Sequence, residues 1–131
     1  MRLYPPIWQL MRRAIHDDEI DGYYIPANTC IFWCPYFSQR HPDFWEKPEQ
    51  FYPEHFSEEL SAKRPRHAFI AFSSGPRICL GNTFALTEMQ LILATLAQQY
   101  RVSLAPQYQM ELEPLLALRP KNGVLVSIER R

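Results

Sequence analysis

The chain has 131 residues, with 14 Lys plus Arg balanced by 14 Asp plus Glu, so its formal net charge is zero. A neutral chain lacks the basic excess typical of nucleic-acid-binding proteins, and 47% hydrophobic residues exclude a disordered tail. Apolar runs are shorter than the about 18 residues of a membrane span, and we expect no signal peptide. Three widely spaced cysteines form no disulfide framework, which predicts a cytoplasmic, reduced protein.

The N-terminal half is predicted to consist of short extended elements. Tyr4-Pro5-Pro6 ends any helix that precedes it. A turn over residues 17–22 leads into a strand at 23–26, and the β-branched and aromatic run 30–34 predicts a buried strand. Residues 35–65 combine prolines, charges and many aromatic side chains without a helical or strand period. That composition predicts an ordered, irregular meander, because so many aromatic rings are not left in water.

The C-terminal half contains one long predicted helix. Residues 82–100 lack Gly and Pro and are apolar around most of the circumference, which predicts a buried helix. Strand candidates follow at 115–118 and 124–128. The Pro120-Lys121-Asn122-Gly123 turn between them carries the Asn-Gly signal of a C-terminal β hairpin. Together the elements predict a mixed α and β segment.

A cysteine with a distinctive setting lies just before the long helix. Cys79 follows Gly75-Pro76-Arg77-Ile78 and precedes Leu80-Gly81. The positive end of the helix dipole and the charge of Arg77 both favour a thiolate over a thiol. A thiolate held in this way is either a nucleophile or a soft metal ligand.

Several readings of this cysteine are open from the residues alone. A nucleophile requires a general base, and the nearest histidine, His67, lies twelve residues earlier. A zinc site requires about four ligands, for which Cys30 and Cys34 with His16 or His41 are candidates, although no C-x-x-C pair exists. A buried, inert thiol is the remaining reading.

The window around this cysteine resembles the haem-binding loop of the cytochrome P-450 superfamily, F-x-x-G-x-R-x-C-x-G. All five fixed positions are matched, by Phe72, Gly75, Arg77, Cys79 and Gly81. Five residues at fixed gaps are far more specific than a lone glycine motif. In the family the cysteine leads into a buried helix that commonly begins F-A-x-x-E, and Phe84-Ala85-Leu86-Thr87-Glu88 fits that pattern.

The resemblance extends along the whole chain. Residues 2–6 are similar to the end of the family's E-x-x-R helix, and residues 12–19 and 22–26 to its R-x-A-x-x-D-x-E and G-Y-x-I-P stretches. Residues 40–56 are similar to the meander that ends in P-E-R-F. The resemblance implies an α+β segment of the mainly α cytochrome P-450 fold, with residues 1–131 as a single C-terminal haem-binding segment. The family's distal helix would lie upstream of it.

The resemblance also implies roles for individual residues. Cys79 would be the thiolate ligand to haem iron and the catalytic residue. Arg77 and Arg12 would pair with the haem propionates, although Arg13 leaves the register of Arg12 open between this role and a solvated charge. The other residues expected at the cofactor are Phe72, Gly75, Gly81 and Ala85.

The family's reaction is the insertion of one oxygen atom from O₂ into an organic substrate. The resemblance therefore implies haem b, NAD(P)H electrons delivered by a ferredoxin or flavin reductase, and a small hydrophobic substrate. Residues 7–10 and 115–117 match segments that line the family's substrate pocket. A non-catalytic haem-binding or haem-sensing module is the alternative function.

Four positions depart from the family pattern. Only Arg2 of the E-x-x-R motif is present, and His55 replaces the arginine of P-E-R-F. A histidine cannot reproduce the fork of a guanidinium. Gln39 stands where a histidine is common, and Ser73 replaces a frequent glycine. With the distal helix absent, we expect the chain to be a truncated part of a longer protein, inactive alone.

Overall fold

A computed structural model describes residues 1–131, which form two compact units, Met1–Ala71 (unit 1) and Phe72–Arg131 (unit 2). Short antiparallel strand pairs, short helices and one long helix make up the chain, so the predicted α+β class is confirmed. The structure contains no helix that is both long and apolar enough to cross a membrane.

Unit 1 begins with two antiparallel strand pairs. Strand β1 (Leu10–Arg13) pairs with β4 (Cys30–Trp33), and β2 (Asp18–Ile20) pairs with β3 (Tyr23–Ile25). Asp21 and Gly22 both have positive φ, 52° and 80°, as a two-residue hairpin turn requires. The strands predicted at 23–26 and 30–34 are therefore confirmed in position.

Two details of this region differ from the prediction. The segment expected to be a turn, 17–22, contains β2, because the backbone of residues 18–20 pairs with β3; the three side chains are exposed. The side chains of strand β4 are half-buried on one face and exposed on the other, so the strand is not buried. Its aromatic composition signalled a buried strand, but in unit 1 its only strand neighbour is β1.

The segment after β4 is irregular, as predicted, with short helical turns. Helix α1 spans Pro35–Ser38, α2 spans Glu58–Lys63, and single 3₁₀ turns occur at Pro53–Phe56 and Arg66–Ala68. Ser57 caps α2 by accepting a hydrogen bond from the Leu60 amide at 3.3 Å. The frequent prolines limit each helix to one or two turns.

Trp45 is the centre of unit 1, with 1% of its surface exposed. The guanidinium carbon of Arg2 lies 5.0 Å from its ring centroid and that of Arg64 lies 3.8 Å away. His55 meets the same ring edge-on, with centroids 5.3 Å apart. The core of this unit is thus an aromatic ring in contact with two cations, a favourable arrangement when the cations are partly desolvated.

Buried polar contacts fix Arg2 to the meander. Its guanidinium donates to the carbonyl oxygens of Gln39 (2.9 Å), Pro48 (2.6 Å) and Gln50 (2.6 Å). The Gln39 amide in turn donates to the Arg2 carbonyl at 3.0 Å and accepts from the Ile70 amide at 3.0 Å. Burial, and secondarily the charge of Arg40, lowers the pKa of Arg2 from its ordinary value.

A pH-dependent contact ties the start of β2 to the end of β3. The Asp17 carboxylate accepts hydrogen bonds from the Ala27 amide (2.8 Å) and the Tyr24 hydroxyl (2.9 Å). The bond from the Ala27 amide, and then that from Tyr24, lowers the pKa of Asp17 below its ordinary value, because both favour the charged form. The contact therefore stabilises the fold above the unfolded-state pKa and is lost as the pH falls through the folded-state pKa.

Tyr24→Phe should raise the pKa of Asp17 towards its ordinary value, because one of the two hydrogen bonds to the carboxylate is removed. The measurement is an NMR titration of the Asp17 carboxyl carbon below pH 5. Tyr23→Phe is the matched control, since Tyr23 is similarly exposed. Equal midpoints in the two variants would contradict the contact.

Unit 2 consists of the long helix and two strand pairs. Helix α3 spans Asn82–Gln99 and continues directly into β5 (Tyr100–Leu104), which pairs with β8 (Val126–Arg130). The predicted helix over 82–100 is confirmed to within one residue. Between the paired strands, β6 (Leu112–Pro114) and β7 (Leu118–Pro120) form the C-terminal hairpin.

Two expectations for unit 2 were wrong in detail. Helix α3 has no buried residue: its composition matches a buried helix, but within unit 2 it contacts the neighbouring strand β5, which leaves most of its apolar side chains exposed. The hairpin lies at 112–120, so residues 115–117 form its turn, and the strand expected at 124–128 pairs instead with β5. Local apolar runs do not specify which strands pair.

Candidate functional site

The cysteine loop is closed by a backbone hydrogen bond. The Cys79 amide donates to the Phe72 carbonyl at 2.9 Å, so the six residues between them form a compact turn. Inside it Gly75–Arg77 form a 3₁₀ turn, and the Ile78 amide donates to the Gly75 carbonyl at 3.1 Å. The backbone thus sets the position of the cysteine through contacts inside the motif itself.

Two residues of this loop have left-handed backbone conformations. Gly75 has φ of 67°, which glycine adopts without steric penalty. Ser73 has φ of 66°, where an L side chain is disfavoured. The positive φ explains why glycine is frequent at this position in the family. With serine there, the backbone is locally strained.

Ser73→Gly should be more stable than Ser74→Gly. Both variants gain unfolded-state freedom, about 0.5–1 kcal/mol of destabilisation, but only the first relieves a left-handed conformation, which costs an L residue about 1–2 kcal/mol. Ser74 is the control because its φ is −151°. Urea unfolding monitored by circular dichroism should separate the variants by about 1–2 kcal/mol. The reverse order would contradict the strain at Ser73.

The Cys79 thiol is free and exposed at the start of α3. Gly81 is the N-cap of this helix, and a Cβ on Gly81 would lie 3.9 Å from the Cys79 sulfur. Because the residue is glycine, no side chain extends over the sulfur from that position. Leu80 between them is 99% exposed and does not cover it either. The sulfur is open to an external partner.

Cys79 is the one candidate ligand at this position, so it suits a metal ion whose other ligands come from a cofactor. The structure contains no group of three or more His, Cys, Asp or Glu residues placed to hold an ion. Of the candidates for a zinc site, Cys34 donates its thiol hydrogen to the Trp8 carbonyl at 2.9 Å, and His41 faces Asp43 at 3.8 Å. One cysteine sulfur would suit haem iron, for which the porphyrin supplies four nitrogen ligands of its own.

The remaining predicted site residues fall in both units. Within unit 2, Arg77 is exposed on the loop, and Ala85 is half-exposed on the first turn of α3, its amide donating to the Gly81 carbonyl at 2.9 Å. Together with Phe72, Gly75, Cys79 and Gly81 they occupy one continuous stretch of 14 residues, 72–85. Arg12 belongs to unit 1.

The structure distinguishes Arg12 from Arg13. Arg12 is half-buried, and its guanidinium carbon lies 5.1 Å from the Trp33 ring centroid, whereas Arg13 points to the exposed face of β1. Trp33, whose ring lies beside the Arg12 guanidinium, was not predicted from the sequence. The pairing register could have predicted this contact. Leu10 lies opposite Trp33 and Arg12 opposite Ile31, and alternate residues of a strand share a face, so Arg12 and Trp33 lie on the same face of the β1–β4 pair.

A family model described as Cytochrome P450 matches residues 1–127. Cytochrome P450 132 of Mycobacterium tuberculosis is 40% identical over 130 residues, which are 99% of this chain and 28% of that protein. Thromboxane-A synthase of Mus musculus is 35% identical, covering all of this chain and 25% of that protein. The chain thus spans about a quarter of the length of these relatives.

Solved structures agree with the sequence comparison. Retinoic acid-bound cyanobacterial CYP120A1 superimposes with a TM-score of 0.93 at 33% identity, over 99% of this chain and 30% of that one. The haem domain of cytochrome P450DA superimposes with a TM-score of 0.91 at 26% identity, over 99% of this chain and 29% of that one. Both comparisons include the cysteine loop and α3.

Proposed function

Because the chain belongs to the cytochrome P450 family, we propose that it forms the haem-binding part of a monooxygenase, with Cys79 as the thiolate ligand to the iron. The observation that carries this proposal is the exposed Cys79 thiol on a loop closed by the Phe72 carbonyl, directly before α3. Since the family model spans both units, it also supports treating residues 1–131 as one segment of a single haem-binding domain.

Contacts inside the loop fix the backbone on both sides of the sulfur. The hydrogen bond between the Cys79 amide and the Phe72 carbonyl fixes the backbone on one side, and α3 begins three residues later on the other. The positive end of the α3 dipole stabilises a negative charge on the sulfur. A thiolate fixed in this way would hold the iron of the cofactor and supply it with electron density.

The neighbouring residues have complementary tasks in this proposal. Phe72 would cover the cofactor face beside the sulfur, and Ala85 would present only a methyl group to it from the first turn of α3. Gly75 permits the left-handed turn, and Gly81 leaves the sulfur uncovered. With haem bound, exclusion of water by the Phe72 ring would strengthen the electrostatic interactions of the thiolate, because the local dielectric constant would fall.

Two arginines are proposed to pair with the haem propionates. Arg77 lies in the loop, and Arg12 is half-buried against Trp33 in unit 1. A guanidinium donates two parallel hydrogen bonds to a carboxylate, and the stack on Trp33 restricts the orientations available to Arg12.

Arg12→Gln should weaken haem binding about tenfold, the equivalent of one charge-assisted hydrogen bond. Arg13→Gln is the matched control, because Arg13 is exposed on the opposite face of β1; we expect less than about a twofold change. The measurement is the rate of haem transfer to excess apomyoglobin. Equal rates for the two variants would place the propionate partner elsewhere.

When bound, haem supplies the activation of O₂ that inserts one oxygen atom into an organic substrate. In this proposal the electrons come from NAD(P)H by way of a ferredoxin or flavin reductase, and the substrate is small and hydrophobic.

Two segments are proposed to line the substrate pocket, residues 7–10 and 115–117. Ile7 is 45% exposed and Leu116, in the turn of the β6–β7 hairpin, is 94% exposed. Each segment exposes an apolar side chain, which suits contact with a hydrophobic substrate. Three free cysteines support a reducing, cytoplasmic location.

The experiment that tests this function is the ferrous–CO difference spectrum of the full chain after reconstitution with haem. A thiolate ligand should shift the Soret band strongly to longer wavelength. A band at the position given by a neutral nitrogen ligand, with haem stoichiometrically bound, would contradict the proposal for Cys79.

A further inference from the structure

The Asn122-Gly123 pair does not lie in the hairpin turn that its sequence predicts. The hairpin is formed by β6 and β7, and the pair lies beyond it, in the connection from β7 to β8. Both residues are exposed, and neither belongs to a strand. The proposed haem chemistry does not use them. An asparagine directly before a glycine has a reactivity of its own, and an exposed connection leaves room for that reaction.

Two groups of this pair are placed to react with each other. Attack of the Gly123 backbone nitrogen on the side-chain carbonyl carbon of Asn122 closes a succinimide ring. Glycine has no Cβ, so no side chain hinders the approach of its nitrogen. The Gly123 amide donates to the Pro120 carbonyl at 3.4 Å, which is long for a hydrogen bond from a backbone amide. No hydrogen bond holds the Asn122 side chain. Both reacting groups are therefore available.

We propose that Asn122 is a site of spontaneous deamidation to aspartate and isoaspartate. The Gly123 nitrogen loses its proton to solvent and bonds to the Asn122 side-chain carbon, and the side-chain nitrogen leaves as ammonia with a proton returned by solvent. Water then opens the succinimide at either carbonyl. One opening gives aspartate, and the other gives isoaspartate, in which the main chain runs through the side-chain carbons. The net change is one water consumed and one ammonia released, so no oxidant or reductant is needed.

The chain has two other asparagines, Asn28 and Asn82, and both are protected from this reaction. Each precedes a threonine, whose branched side chain crowds the attacking nitrogen. The Thr29 amide donates to the Pro26 carbonyl at 3.1 Å. At the start of α3 the Asn82 side-chain oxygen accepts from the Thr83 hydroxyl at 3.0 Å. The structure thus distinguishes Asn122 by its neighbour and by the freedom of its side chain.

The product would change both the charge and the backbone of this connection. A carboxylate at position 122 would stand next to Lys121, whose ammonium pairs with Glu111 at 2.7 Å. Isoaspartate would also lengthen the main chain between β7 and β8. Because the Tyr108 hydroxyl donates to the Gly123 carbonyl, that lengthening would displace the acceptor of this hydrogen bond. The modification is independent of the proposed haem function.

The test is peptide mapping of the full chain by mass spectrometry after incubation at mildly alkaline pH, which promotes loss of the amide proton. Conversion of an amide to an acid raises the mass of the peptide, and electron-transfer fragmentation distinguishes isoaspartate from aspartate. The peptides that contain Asn28 and Asn82 are the internal controls. Asn122→Gln is the matched variant, because its exposed amide is kept but its longer side chain must close a larger ring.

We expect Asn122 to convert first and to give both products, while Asn28 and Asn82 stay intact over the half-life of Asn122. The corresponding peptide of Asn122→Gln should keep its mass over the same time. Equal rates at the three asparagines would overturn the proposal. So would aspartate as the sole product, which indicates direct hydrolysis. The proposal would also fail if Asn122 stayed intact in the folded chain over a time in which the chain unfolded in guanidinium chloride loses it.

Discussion

Cys79→Ala is expected to abolish the red-shifted ferrous–CO band completely, because in the proposed site this sulfur is the one protein ligand to the iron. Cys30→Ala is the matched control: Cys30 is also a free, exposed cysteine, but it lies in β4 of unit 1. The control should retain the band at full intensity. The measurement is the difference spectrum of each variant at equal haem occupancy.

Loss of the band has two causes, loss of the ligand and loss of the fold, which Cys79→His separates. A histidine at this position offers a neutral nitrogen to the iron, so the variant should bind haem and give an unshifted band. A red-shifted band in Cys79→Ala, or its disappearance in Cys30→Ala, would move the ligand assignment away from Cys79.

Arg2→Met is expected to lower the free energy of unfolding by about 3–5 kcal/mol. Arg2 is 6% exposed and donates three hydrogen bonds to carbonyl oxygens, so the variant leaves buried acceptors unpaired while roughly keeping the volume. It also removes one cation from the Trp45 ring. Urea unfolding monitored by tryptophan fluorescence measures the change.

Arg66→Met is the control for this prediction. Arg66 is an exposed arginine of the same unit, and its replacement should change the free energy of unfolding by no more than about 0.5 kcal/mol. A similar small change for Arg2→Met would show that Arg64, on the same tryptophan ring, suffices to hold the meander.

The elements that depend on interactions between residues near in sequence, the long helix and the cysteine loop, could be predicted from local sequence patterns. Residues 82–99 form a helix because nothing in that stretch breaks one, and the start at Asn82 follows from Gly81 before it. The spacing from Phe72 to Gly81 predicted a compact loop, and the structure closes it with a bond between residues seven apart. The ligand and propionate roles of the loop residues stay predictions until the spectra and haem-transfer rates are measured.

Contacts between residues far apart in the chain could not be predicted from the sequence. The pairing of β5 with β8 joins residues more than twenty positions apart, while the nearer apolar run 115–118 looked equally strand-like. The reciprocal bonds between Arg2 and Gln39 join residues 37 positions apart. The exposure of α3 also escaped prediction, because composition reports how apolar a helix is and not which surfaces lie against it.

The β5–β8 pair has a consequence for how this protein can evolve. Five residue pairs, from Tyr100 opposite Arg130 to Leu104 opposite Val126, fix the two ends of everything between them. The excursion 105–125, with the β6–β7 hairpin at its tip, can therefore change in sequence and length while its anchors keep their register. Substitutions at Leu115 or Leu116, in the turn of that hairpin, would leave the register of β5 with β8 unchanged.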